Sequence, residues 1–253
     1  MSRTLGFLYG VAAYAVFLLT FLYAIGFVMN LGVPKSIDGP TGSLFGLMQA
    51  QSAWSFQSLL IDVALLLAFA IPHSVMARPG FKRRWTRIVP PAVERSTYVL
   101  VASLLLILLF RQWRPIPDPA WSIETPVFRA ILQACGWIGW GTVLVSTFLI
   151  DHFDLFGLRQ VWLNLRGRPI TPPSFEAAGL YRYCRHPIML GFIVAFWATP
   201  EMSVGHLVFA VATTGYILVA VQIEERDLLR AHGARYEEYK RRTSMLLPLP
   251  RRG

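Results

Sequence analysis

Residues 188–223 read IMLGFIVAFWATPEMSVGHLVFAVATTGYILVAVQI, and this stretch decides the fold. It is apolar throughout except at Thr199-Pro200-Glu201. The piece before the break, 188–199, is too short to cross a bilayer core of about 30 Å, whereas the piece at 203–223 is long enough. Either the whole stretch is one interrupted span, or it goes in and comes back. The difference fixes which side of the membrane the tail lies on.

Four further apolar runs precede it, at about 5–29, 59–77, 96–110 and 128–150. The first carries no charge; its core is longer than that of a secretory signal and no small-residue cleavage site follows, so it reads as a retained anchor. The loop at 78–95, the loop at 151–187 and the tail from 224 hold Arg78, Lys82, Arg83, Arg84, Arg87, Arg159, Arg166, Arg168, Arg182, Arg185, Arg226, Arg230, Arg235, Lys240, Arg241, Arg242, Arg251 and Arg252. Loops 30–57 and 111–127 are poor in net positive charge. Basic loops face the cytoplasm. With both the 151–187 loop and the tail inside, 188–223 must be a helical hairpin turning near Pro200. The expectation is an all-α integral membrane protein of one domain. It has five to six transmembrane helical segments, at about 5–29, 59–77, 96–110, 128–150, 188–199 and 203–223. The last two form the hairpin, a helical tail follows in the cytoplasm, and both termini are cytoplasmic.

Composition agrees. The apolar fraction is 55%, the charged fraction 15% and mean hydropathy +0.48, against about 45–50% and about 25% in soluble domains. This excludes a disordered chain and argues against a soluble enzyme. The net charge of +10 is explained by the basic loops, so nucleic acid is not called for as a partner. Cys135 and Cys184 make neither a disulfide framework nor a metal-ligand pattern, and no metal is expected. Five tryptophans, Trp54, Trp113, Trp121, Trp162 and Trp197, read as an interfacial belt. Pro169, Pro172 and Pro173 mark 151–187 as a structured loop. Gly6-x-x-x-Gly10 reads as helix packing.

The densest polar constellation flanks the hairpin. Tyr181-Arg182-Tyr183-Cys184-Arg185-His186-Pro187 stands on the entry side, Glu224-Glu225 on the exit side. Pro187 suits the first helical position, which makes His186 the N-cap. Free N–H groups and the helix dipole there favour an anion, and Arg185 adds a full charge. Cations and anions beside an apolar cavity match a zwitterionic, partly apolar ligand; S-adenosylmethionine is one. The competing reading is interfacial: Arg185 and His186 snorkel at a helix end while the glutamates pair with tail cations.

Arg185-His186-Pro187, an apolar hairpin, Glu224-Glu225, Leu228 and Gly233-x-x-Tyr236-x-x-Tyr239 resemble the C-terminal signature of the isoprenylcysteine carboxyl methyltransferase superfamily. The likeness covers 179–248. It implies S-adenosylmethionine as cofactor and S-adenosylhomocysteine as product, held by Tyr181, Tyr183, Arg185, His186, Pro187, Leu190, Gly191, Glu224 and Glu225. One departure stands out: Met189 occupies the position where the family often has Tyr. His73-Ser74-x-x-Ala77 and Glu94-Arg95-x-x-Tyr98 are similar to the NnrU-like branch. The run 152–162, with Leu180-Tyr181-Arg182-Tyr183 and Met189-Leu190-Gly191-Phe192, resembles the bacterial methanethiol S-methyltransferases. That likeness implies methylation of a small volatile thiol to dimethyl sulfide in the inner membrane of a bacterium. The partners are then the thiol and membrane lipids, with no obligate protein partner. Alternatives are methylation of a lipidated or larger thiol or carboxylate, a non-enzymatic NnrU-like protein of nitrogen-oxide metabolism, or a small transporter.

A thiol must lose its proton before it attacks. His73 and His152 are the candidate bases, with Asp151 or Asp154 as orienting partners. Glu94, Arg95, Tyr98, Arg159 and Gln160 are candidates for substrate contacts or support. Each also has a plainer reading: a core histidine, a helix cap or a loop ion pair. Cys184 is not needed for direct transfer and reads as structural. Asp62, towards the other end of its helix, has no assigned role.

Overall fold

The computed structural model describes residues 2–40, 55–171 and 177–248. Trp54, Pro172, Pro173, Arg251 and Arg252 lie outside them. Among the described residues five helices are long and apolar enough to cross a membrane: α1 (Arg3–Met29), α2 (Phe56–Met76), α4 (Pro91–Gln112), α5 (Pro126–Ile150) and α9 (Val204–His232). The shorter helices are α3 (Pro79–Trp85), α6 (His152–Leu155), α7 (Leu158–Leu165), α8 (Pro187–Trp197) and α10 (Ala234–Arg242). Two-residue strands β1 (Lys35–Ser36) and β2 (Gly39–Pro40) pair antiparallel, and β3 (Pro119–Ser122) pairs with β4 (Glu201–Ser203). The protein is an all-α integral membrane protein.

Helix starts differ from the apolar runs because caps, not hydropathy, set them. Ser55 accepts the Ser58 N–H at 3.2 Å and starts α2 three residues early. Pro91 and Pro126 stand in the first turns of α4 and α5, where a missing N–H costs nothing. At its far end α9 runs nine residues past Ile223, because Glu224 to His232 are mostly good helix formers, and stops at Gly233 with φ +53°. At about 1.5 Å per residue it is longer than a bilayer core is thick, so its last turns project beyond it. The segment 151–187, read as loop, contains α6, α7 and a 3-10 turn at Gly179–Arg182. Such short polar helices carry too little periodicity to be seen in sequence.

The described chain divides into two compact units. The first holds α1 to α4, α6 and α7, the segment that follows α4, and residues 203–206. In it α4 packs against α1 and α2, and α7 packs against α1. A Cβ on Gly10 would lie 2.6 Å from Val161, so the Gly6-x-x-x-Gly10 motif serves packing within the chain. Gly157, at φ +90°, turns the chain between α6 and α7 and lets Ser96 approach to where a Cβ would stand 2.6 Å from its hydroxyl. Trp113 is fully buried, its indole N–H donating to the Ile37 carbonyl at 3.0 Å, and is no belt residue. Asp62 is also fully buried and accepts the Arg114 N–H at 2.8 Å.

The second unit holds α5, α8, α10 and α9 from Leu207. Here α8 and α9 form the hairpin: Trp197 donates to Thr214 at 2.9 Å and the Phe196 and Phe209 rings meet at 5.0 Å. Its turn is tied to the start of α5, where Ile123 N–H donates to the Pro200 carbonyl at 2.9 Å and Arg129 pairs with Glu201 at 2.7 Å. Helix α8 crosses α5 at close range. A Cβ on Gly139 would lie 2.6 Å from the Ala195 nitrogen and 2.8 Å from the Gly191 oxygen; one on Gly191 would lie 2.8 Å from the Gly139 oxygen. Gly141, by contrast, has open space at that position.

This pair of glycines gives a sharp contrast. Gly139→Ala must push two backbones apart and should destabilise by about 1–3 kcal/mol, as overpacking does. Gly141→Ala gains about 1 kcal/mol of helix propensity with nothing to oppose it. Thermal unfolding in detergent should therefore move in opposite directions for the two variants; a shared direction contradicts the crossing.

Candidate active site

The second unit builds its polar cluster where α8 begins. Pro187 occupies the first helical position and His186 the N-cap. Directly before them, Arg185 is buried, with 3% of its side chain exposed. Its Nε donates to Glu225 Oε1 at 2.7 Å and its Nη2 lies 2.6 Å from the same oxygen. Its Nη1 donates to the Lys240 carbonyl at 3.1 Å and to the Thr243 carbonyl. Glu225 is buried too, and its second oxygen takes Lys240 Nζ at 2.8 Å. His186 Nε2 stands 3.3 Å from Glu225, and its Nδ1 is 3.8 Å from Glu224, whose side chain is 45% exposed.

Around this clasp the tail closes on the hairpin entrance. Arg185 N–H donates to the Ser244 carbonyl at 2.9 Å and His186 N–H to the Met245 carbonyl at 3.2 Å. Tyr239 donates to the Tyr181 carbonyl at 2.6 Å, and the Tyr181 hydroxyl reaches the Ser146 carbonyl. Burial raises the pKa of Tyr181 and Tyr236 and pushes that of Tyr239 up to about 12, so all three stay protonated donors. Burial likewise raises that of the Cys184 thiol, whose sulfur faces the Met245 carbonyl, and this suits a structural residue. Tyr183 is exposed and Leu190 half-buried. Gly191 sits in the α5 crossing, where its role is contact between backbones.

The first unit holds two histidine–tyrosine pairs. Tyr98 Oη lies 3.0 Å from Nε2 and 3.1 Å from Nδ1 of His73, and the Arg95 guanidinium sits 5.1 Å from the Tyr98 ring centre. Arg95 also donates to the Leu155 carbonyl at 2.7 Å, which ties α4 to α6. Glu94 is buried and stands 3.8 Å from Lys82. Burial, with Arg95 nearby, lowers the Lys82 pKa against the pull of Glu94 and Asp154. The second pair is Tyr14 and His152, 2.8 Å apart. His152 is buried and has Phe153 and Phe156 against its ring. Asp154 pairs with Arg159 at 2.9 Å and accepts Gln160 on its carbonyl at 3.0 Å, so these residues brace the α6–α7 turn. Asp151 belongs to the second unit and ends α5 at φ +123°. That conformation is costly for a residue other than glycine.

Sequence reasoning missed Tyr14, Lys82 and Lys240. Tyr14 lies in an uninterrupted apolar run, and no local pattern marks it. Lys82 is one of several cations in a basic loop. Lys240 follows the Tyr239 of the tail signature directly, which is a signal in hindsight of its placement only.

Residues 80–243 match the family described as "Protein of unknown function (DUF1295)". A methanethiol S-methyltransferase of Mycobacterium tuberculosis is 55% identical over 252 residues, 100% of this chain and 99% of that protein. Methanethiol S-methyltransferase 2 of Bradyrhizobium diazoefficiens is 52% identical over 241 residues, 95% of this chain and 89% of that protein. Nurim of Mus musculus is 29% identical over 237 residues, 86% of this chain and 88% of that protein. No solved structure matches the chain.

Breaking the clasp tests its weight. Arg185→Ala leaves Glu225 buried with one cation fewer, and loss of one partner of a buried pair costs about 3–5 kcal/mol. The expected result is a large fall in the thermal midpoint together with rapid tryptic cleavage in the tail around Lys240 to Arg242. A tail that resists protease as in the unmodified protein would show that the clasp does not hold it.

Proposed function

Since the chain belongs to the DUF1295 family and to the methanethiol S-methyltransferases, we propose that it methylates methanethiol to dimethyl sulfide, with S-adenosylmethionine as donor, on the cytoplasmic face of the membrane. The observation that carries this reading is kinship along the whole chain, which takes in both the hairpin cluster and the two histidine–tyrosine pairs.

The cluster at the start of α8 fits the donor in an altered way. The guanidinium of Arg185 is already engaged on every nitrogen, by Glu225 and two tail carbonyls. It is thus a positioning residue. The carboxylate of a zwitterion is instead suited to the first-turn N–H groups of α8, where the dipole adds to the field. Glu224, half exposed beside His186, is the group suited to a ribose diol or an ammonium. Bound there, the cofactor supplies a methyl group activated by a sulfonium charge that vanishes on transfer.

His73 is the group we assign to proton removal. It is only half-buried, whereas His152 is closed in by Tyr14, Phe153 and Phe156. The proton passes from thiol sulfur to a ring nitrogen of His73, directly or through the Tyr98 hydroxyl, and from there to solvent. The Arg95 charge over the Tyr98 ring makes that phenol a better hydrogen-bond donor to sulfur.

The decisive assay is headspace detection of dimethyl sulfide from purified protein given methanethiol and S-adenosylmethionine. In it, His73→Ala should lower kcat by about 10²–10⁴, as loss of a general base does, with cofactor affinity little changed. Raising the pH should restore part of the rate, because solution then supplies thiolate. Near-normal turnover of His73→Ala at neutral pH removes His73 from the role. Reporter fusions at both termini check the face; a periplasmic C-terminus overturns it.

A further inference from the structure

Beside the clasp, a cleft of about 610 Å³ opens between the 3-10 turn at Gly179–Arg182 and α10. Ala177, Ala178, Arg182, Arg235, Glu238, Tyr239, Arg242 and Thr243 line it. Arg235, Glu238, Tyr239 and Arg242 are spaced i, i+3, i+4, i+7, so they form one face of α10, and Arg182 stands across from them. Three guanidiniums share the space with one carboxylate. Glu238 answers Arg242 at 2.5 Å, and the lining side chains carry three cations to one anion. None of these residues belongs to the set suited to the cofactor.

Guanidinium forks match phosphate oxygens in geometry as well as charge. The position of the cleft selects the kind of phosphate. It lies beside the start of α8, at the end of an apolar element, which is the depth of lipid headgroups. The three arginines and Glu238 are exposed, as a site open to the bilayer surface requires. Basic segments next to membrane spans attract anionic lipid by about fivefold in affinity per charge.

We propose that this cleft binds the phosphate of an anionic phospholipid headgroup. The lipid then bridges the hairpin entrance and the tail helix from outside, in parallel with the Arg185–Glu225 clasp within. The bilayer thereby contributes to holding α10 in place.

The test uses the full chain in a neutral detergent, titrated with dihexanoyl-phosphatidylglycerol or dihexanoyl-phosphatidylcholine while the thermal midpoint is followed. The glycerol lipid should raise the midpoint to a plateau and the choline lipid should not. R182Q/R235Q/R242Q should weaken the apparent affinity by about a hundredfold, at about fivefold per charge. R182Q alone, which leaves the Arg242–Glu238 pair intact, should weaken it about fivefold. R83Q/R84Q, which removes two exposed charges from α3, should leave it unchanged. Four results overturn the proposal. One is an undiminished response in the triple variant. A second is an equal loss in R83Q/R84Q, which means diffuse attraction. A third is the same shift from inorganic phosphate at the same concentration, which means a free-anion site. The last is loss of S-adenosylhomocysteine affinity in the triple variant, which assigns the cleft to the cofactor.

Discussion

A buried guanidinium has to be satisfied on all its nitrogens, and the way Arg185 meets this demand organises the C-terminal half of the protein. Arg185 precedes α8, Glu225 lies near the end of α9, and the Lys240 and Thr243 carbonyls belong to the tail. Three segments distant in sequence are thus held by one side chain. This contact also constrains topology. A single continuous span across 188–223 would put Arg185 and Glu225 on opposite membrane faces. Their 2.6 Å pairing requires α8 and α9 to double back. The loop-charge argument and the buried pair are independent, and they agree. Glu225 in turn needs more than one cation, because it is itself almost fully buried; Lys240 supplies the second at 2.8 Å. The pair is expensive to desolvate and strongly destabilising to break.

The same closure changes what the hairpin cluster can do. A free Arg185 would be the obvious partner for a carboxylate. Engaged as it is, it fixes the N-terminus of α8, and on the proposed function that N-terminus and the half-exposed Glu224 are the groups left for a ligand. His186 caps α8 without a side-chain bond to its N–H groups, so its ring is committed to the glutamates instead. The tail signature Gly233-x-x-Tyr236-x-x-Tyr239 has a matching physical sense. Gly233 breaks α9, Tyr236 buries its ring, and Tyr239 donates to the Tyr181 carbonyl.

Much of the fold was legible because membrane crossing imposes long apolar runs and charge asymmetry, both visible in one sequence. The hairpin followed from parity. Helix starts were not legible from hydropathy, since Ser55, Pro91 and Pro126 act through caps and first-turn geometry. Of the site, the elements that meet at α8 were legible, as Arg185 and Glu225 were both singled out, but their meeting each other was not. Charge type shows where a cation stands; only packing shows which anion it spends itself on. Gly191 illustrates the same limit. Its place in a motif suggests a ligand contact, yet its missing Cβ is used by the Gly139 backbone. Tyr14 and Lys82 were invisible because each lies among residues of its own class, a tyrosine in an apolar run and a lysine in a basic loop.

Two histidines, each with a tyrosine, present the same chemistry in different surroundings, and the surroundings separate them. His152 is boxed by aromatic rings and joined to Tyr14, which anchors α6 to α1. His73 follows Pro72 in α2, and the proline removes one helical N–H and loosens the turn beside it. Its partner Tyr98 carries a cation over its ring and lies next to the Glu94–Lys82 pair on the same helix end. In the proposed reaction, a thiol that loses its proton there would become an anion in a cationic field. A thiolate meeting a sulfonium cancels two charges, so a dry pocket favours transfer over the separated ions, whichever account of desolvation is preferred. Arg95 is drawn off by the Leu155 carbonyl and the Tyr98 ring, so in the proposed reaction it would act through the phenol rather than on the sulfur.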